Sequence, residues 1–121
     1  MSLAYSTTST LSNRHREAPR FPCSVRVWVH DAVSGRWAHL ETVDVSKGGC
    51  FVASKVLLAQ ETEVQLVVEL SDSVSFPIIA SVVRRGFSEG QGLQPGMGLR
   101  FLSADAAMVD KWLVAARCGR A

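Results

Sequence analysis

No apolar run in this chain approaches the roughly 20 residues of a membrane span, and nothing in it resembles a secretory signal. A cytoplasmic protein without membrane insertion is the expectation. The three cysteines, Cys23, Cys50 and Cys118, are an odd number at wide spacing with no CxxC pair. That excludes a zinc knuckle or a thioredoxin-type motif and points to free, buried thiols. His15, His30 and His39 have no HExxH pattern and no clustered carboxylates beside them, so no metal site is expected. No serine sits in a GxSxG elbow and no acid pair stands out, so catalytic residues are not expected either. The net charge is only +2, which argues against bulk electrostatic attraction to DNA or to membranes. With one tyrosine and five phenylalanines the strand segments also lack the stacking residues of a groove for single-stranded nucleic acid, so no nucleic-acid polymer is expected as partner. Trp28, Trp37 and Trp112 are assigned to the core or to an interface.

What the chain does contain is a series of short strand patterns. A length of 121 residues suffices for one domain with a hydrophobic core. Residues 1–13 are rich in Ser and Thr without periodicity and are expected to be a flexible tail, leaving a single domain over 14–121. CSVRVWVH puts Val25, Val27 and Val29 on one face and Arg26 and Trp28 on the other. A turn at Ser34-Gly35 leads into RWAHLETV, its hairpin partner. CFVAS follows Gly48-Gly49, EVQLVVEL places Val64, Leu66, Val68 and Leu70 on one face, and the turn SDS leads into FPIIASVVRR. After a glycine-rich loop, GMGLRF is the last strand. Six short strands separated by turn signals predict a small closed or nearly closed β-barrel, and closure would also remove exposed strand edges. The C-terminal SADAAMVDKWLVAARC changes period: Met108, Val109, Trp112, Leu113 and Ala116 recur at helical spacing, with Ser103 as candidate N-cap. The fold class is therefore all-β with one helix, the helix lying against the barrel or plugging one end.

Two stretches carry chemistry. RHREAPR, residues 14–20, crowds Arg14, Arg16 and Arg20 with His15 into an arm that Pro19 keeps out of helical conformation. Arginine makes planar, bidentate contacts with phosphate and with the O6/N7 edge of guanine. DVSKGG, residues 44–49, falls where a turn is expected. Asp44 offers a carboxylate that suits the N1–H and N2–H₂ donors of guanine, and Ser46 a hydroxyl that donates and accepts. Gly48 and Gly49 permit positive φ and close approach of a backbone or ligand. The same pattern is that of an ordinary β-turn. Arginines facing an Asp-Ser-Gly turn suit a guanine nucleotide that carries phosphates.

With these residues in hand, the chain resembles the PilZ domain family. REAPR matches its RxxxR motif, DVSKGG its [D/N]xSxxG, and GMGLRF its GxGxxF signature, in order and across the chain from about Arg14 to the C-terminal helix. The resemblance implies a six-stranded antiparallel PilZ-like β-barrel with a C-terminal α-helix. It also implies a bacterial, non-enzymatic receptor for the second messenger cyclic di-GMP, with no cofactor, which changes conformation on binding and signals to a partner protein. It places Arg16 and Arg20 on phosphates and guanines, Asp44 and Ser46 on a guanine edge, and Gly49 at the close-approach turn. Arg14, His15, Gly48 and Arg84 are weaker ligand candidates. Where the family often carries an arginine just before RxxxR, this chain has His15, which implies one bound ligand per chain at neutral pH rather than a stacked pair, unless Arg14, one residue further out, reaches back to take that role. The alternative is a PilZ-like protein-interaction module that does not bind the nucleotide.

Overall fold

The structure is a computed structural model that describes residues 18–88 and 94–119. The predicted tail 1–13 lies outside the described residues, as do Arg14, His15 and Arg16. The strands are β1 (Phe21–Pro22), β2 (Arg26–Asp31), β3 (Arg36–Ser46), β4 (Gly49–Ala53), β5 (Glu63–Glu69), β6 (Ser75–Ser88) and β7 (Gln94–Ala104), followed by helix α1 (Ala106–Arg117). All pairings are antiparallel. Around the wall the order is β3-β2-β5-β6-β7-β4, and β4 pairs back onto β3 to close a six-stranded barrel. The two-residue β1 is an addition to β3.

Closure depends on the length of β3. Its first half, Arg36 to Glu41, pairs with β2, and its second half, Glu41 to Ser46, pairs with β4 on the other edge. The edge that β2 vacates is taken by β1, with Phe21 opposite Val45 and Pro22 opposite Asp44. Between β1 and β2 the ladder breaks, and the buried hydroxyl of Thr42 fills the gap. It accepts from the Val25 N–H at 2.9 Å and donates to the Cys23 carbonyl at 3.3 Å. Without it a buried N–H would lose its partner.

Alternation along the strands builds the core as expected from a sheet buried on one face. Val25, Val27, Val29, Val64, Leu66, Val68, Phe76, Ile78, Ala80 and Val82 all point inward and are buried. The helix supplies Val109, Trp112 and Ala116 to the same core, with Met108 and Leu113 half-buried beside them. Trp112 is fully buried, its ring edge-on to Phe76 at 6.2 Å and near-parallel to Phe101 at 6.1 Å. The helix lies against β1 and β3, and Arg117 places its guanidinium 6.0 Å from the centre of the Phe21 ring.

Two expectations need correction. The N-cap is Asp105, not Ser103: Ser103 is still in β7, opposite Ile79, and the Asp105 carboxylate accepts from the Ala107 N–H at 2.9 Å and the Met108 N–H at 3.3 Å. Cys118 is exposed at the helix C-terminus, while Cys23 and Cys50 are buried as free thiols. Burial pushes both buried thiols' pKa up; for Cys23 the hydrogen bond with the Thr42 hydroxyl draws it partly back. Of the three tryptophans assigned to the core or to an interface, Trp112 is in the core and Trp28 and Trp37 stand exposed on the outer wall.

Candidate functional site

The bulge in β3 aims the site. The pairing of β3 with β4 shifts by one residue between Thr42 and Asp44, so Val43 is an extra residue. From Glu41, which is exposed, strict alternation would turn Asp44 inward and Val45 outward. The extra residue reverses this: Val45 is fully buried and Asp44 is half-buried on the outer wall. There the carboxylate meets Arg20, the residue just before β1. Arg20 Nη2 lies 2.6 Å and Nε 3.2 Å from the same Asp44 oxygen, Oδ1. Arg20 and Asp44, 24 residues apart, are thus brought together by the β1–β3 pairing.

The other motif residues surround this pair. Ser46 is buried at the end of β3 and its hydroxyl donates to the Gly49 carbonyl at 3.3 Å, which braces the Lys47-Gly48 turn. Gly48 accepts from the Phe101 N–H at 2.8 Å, tying the turn to β7. Neither Gly48 nor Gly49 adopts positive φ. Gly49 is required for the other expected reason, close approach, because a Cβ there would collide with the Leu99 carbonyl oxygen. Ser46 and Gly49 therefore build the turn, while Asp44 and Arg20 present polar groups to solvent.

A strip of outward-facing residues continues from Asp44 around the wall. Asp44 is opposite Phe51 on β4, Phe51 is opposite Gly98 on β7, and Gly98 is opposite Arg84 on β6. At about 4.8 Å per strand the strip runs about 14 Å from Asp44 to Arg84. Phe51 points away from the barrel core yet is fully buried. Its ring lies over Gly96: a Cβ there would come within 2.6 Å of a ring carbon and would also strike the Val52 carbonyl. The exposed Arg84 covers the ring, its guanidinium carbon 5.5 Å from the ring centre. The glycines of GMGLRF thus make room for an aromatic ring and a stacked guanidinium. Arg84 lies within β6, which continues to Ser88. Arg100, exposed and opposite Gly49, adds another cation to this wall.

Phe51 and Arg100 were absent from the sequence-based candidates. The available signal for Phe51 was an aromatic on the polar phase of a short strand, with glycines at alternate positions of GMGLRF. Beside the strip, a shallow depression of about 400 Å³ opens at the break between β1 and β2, lined by Pro22, Cys23, Ser24, Glu41, Thr42, Val43 and Ala53. Among the described residues no group of three or more His, Cys, Asp or Glu side chains could hold a metal ion, and no helix is long and apolar enough to cross a membrane.

The family model for the PilZ domain matches residues 14–115. The chain belongs to the PilZ domain family. Its PilZ fold is similar to that of the Bacillus subtilis inhibitor of motility, MotI, with a TM-score of 0.68 at 16% identity over 87% of this chain and 51% of that one. The chain thus spans about half the length of that protein. It is similar to the PilZ domain of YcgR from Escherichia coli, solved with c-di-GMP, with a TM-score of 0.63 at 15% identity over 87% of this chain and 91% of that one. The PilZ domain of CeSA from a cellulose-synthesizing bacterium matches with a TM-score of 0.57 at 18% identity, over 85% of this chain and 99% of that one. No curated protein sequence matches.

Proposed function

We propose that this PilZ domain is a non-enzymatic receptor for cyclic di-GMP. The observation that carries the proposal is the Arg20–Asp44 pair, held on the outer wall by the bulge at Val43 and the β1–β3 pairing. Both partners have a better use in the complex than each other. A ligand phosphate takes over the guanidinium of Arg20, joined by Arg16 and, more weakly, Arg14 and His15. The freed carboxylate of Asp44 accepts from N1–H and N2–H₂ of guanine. Arg84, above Phe51, offers a cationic plane for a second base or phosphate.

Since Arg20 and Pro22 sit on the segment against which α1 packs, re-pairing Arg20 pulls on the β1–α1 contact, which includes Arg117 and Phe21. This couples the site to the helix and gives a downstream protein a changed surface to read. The ligand is a signal, not a substrate, and the reading assigns no catalytic residue and no cofactor.

Titration calorimetry with cyclic di-GMP, cyclic di-AMP and GTP tests the reading. Saturable binding of cyclic di-GMP is expected, with cyclic di-AMP clearly weaker. Asp44→Ala should weaken cyclic di-GMP and narrow its advantage over cyclic di-AMP, because adenine lacks the paired donors that a carboxylate accepts from. Equal loss for both nucleotides contradicts the role given to Asp44. No heat with any nucleotide favours a PilZ module that works through protein contacts alone.

A further inference from the structure

The half of the wall that the strip does not use carries a second organised surface. The outward positions of β2 are Arg26, Trp28 and His30, and directly opposite on β3 stand Glu41, His39 and Trp37. Trp28 lies flat on His39, ring centres 4.1 Å apart and planes 6° from parallel. Its indole N–H donates to Glu69 Oε2 on β5 at 3.0 Å, and Glu69 Oε1 lies 3.0 Å from His39 Nε2. One carboxylate therefore clamps two rings on two neighbouring strands. Next to them Trp37 leans on His30 at 4.6 Å. Trp28 nevertheless remains 38% and Trp37 52% exposed.

Cross-strand ring pairs stabilise antiparallel strands on their own. That explains the stacking, but not why the indoles stay in water or why acid gathers around them. Glu41 and Glu69 flank Arg26 on the neighbouring strands, Glu63 is exposed at the start of β5, and Arg36, exposed next to Trp37, stands opposite Asp31, so carboxylates outnumber arginines on this face in a chain whose net charge is +2. Glu41 and Glu63 hold no ion pair with another described residue. The surface is thus aromatic and acidic, and its Trp28 and His39 rings are already held in place, so docking on them costs little side-chain entropy.

We propose that this face docks an arginine-bearing segment of a partner protein, its guanidinium groups stacking on Trp28 and Trp37 and pairing with Glu41 and Glu63. Arginine fits better than lysine because its guanidinium is planar, weakly hydrated and able to stack and fork at once. A nucleic-acid strand is excluded by the same carboxylates, which repel phosphate. The proposal stands independently of cyclic di-GMP binding.

The test is an NMR titration of the full chain, following the three indole N–H signals, with the fully buried Trp112 as internal control. The probes are the capped pentapeptides Gly-Arg-Gly-Arg-Gly, Gly-Lys-Gly-Lys-Gly and Gly-Glu-Gly-Glu-Gly, and oligo-dT. The expected result is a saturable shift of the Trp28 and Trp37 signals with the arginine peptide, a weaker one with lysine, none with glutamate or oligo-dT, and a fixed Trp112 signal. Trp37→Ala and Glu63→Gln should each weaken the arginine peptide by about tenfold. Both positions are exposed, and an unmoved Trp112 signal reports that the variants fold. No saturable shift, an equal response to lysine and arginine, movement with oligo-dT, or unchanged affinity in both variants overturns the proposal.

Discussion

Replacing Arg20 with alanine should uncouple stability from binding, and the size of each effect follows from the geometry. In the free protein the Arg20 and Asp44 side chains are 45% and 23% exposed, and both guanidinium nitrogens converge on one carboxylate oxygen instead of forking across two. An exposed pair of this kind contributes about 0–1 kcal/mol. Arg20→Ala also removes no apolar group from the core. Urea unfolding should therefore shift by less than about 1 kcal/mol in free energy, with an unchanged slope. In the proposed complex the same side chain would make charge-assisted contacts shielded from water by the ligand. Losing them should cost about 2–4 kcal/mol, or about 30- to 1000-fold in Kd. Unfolding curves and calorimetry on one preparation measure both quantities. A stability loss above about 2 kcal/mol with unchanged nucleotide affinity would refute the reasoning and make Arg20 a structural clasp for β1.

Three further outcomes follow from other parts of the wall. Thr42→Val should destabilise by about 1–3 kcal/mol in urea unfolding, because the buried Val25 N–H loses its acceptor while side-chain shape is kept; a neutral result means the strand break is satisfied another way. Gly96→Ala should cost about 1–3 kcal/mol as the new methyl displaces Phe51 or parts β7 from β4, and an undisturbed Phe51 in the variant's NMR spectrum counts against the packing described here. Glu69 has its carboxyl held below the ordinary value of 4.5, first by the hydrogen bond with His39 and also by that with Trp28. Its contribution is therefore complete above the ordinary carboxylate range and lost as pH falls through the depressed value. The stability advantage of wild type over Glu69→Gln should shrink as pH falls below about 4.5, and a difference that persists undiminished through that range contradicts the clamp.

The strands were legible because the barrel buries one face, so CSVRVWVH and EVQLVVEL alternate cleanly and Val27 and Leu66 end fully buried. The helix was legible for the same reason at a different period. Its cap was not, since Ser103 and Asp105 are both good N-caps and only the pairing of Ser103 with Ile79 decides between them. The chemistry of DVSKGG could be read from residue type, but its aim could not. A one-residue bulge leaves no mark in a run such as TVDVS, yet it puts Asp44 outside and Val45 inside. At Gly49 the structure shows close approach of the Leu99 backbone, with no positive φ. Phe51 stayed hidden because an aromatic buried outside the barrel makes sense only once Gly96 and Arg84 are known to lie next to it. The surface around Trp28 depends likewise on a register that sets His39 and Glu69 beside it.

The most direct test of the account is a calorimetric titration of the full chain with cyclic di-GMP at pH 7.5, run on wild type and on Arg20→Ala/Asp44→Ala. The account predicts saturable binding with one ligand per chain for wild type and loss of detectable binding for a double variant that still unfolds cooperatively in urea. Wild-type affinity in the double variant would contradict it, as would the absence of binding in wild type.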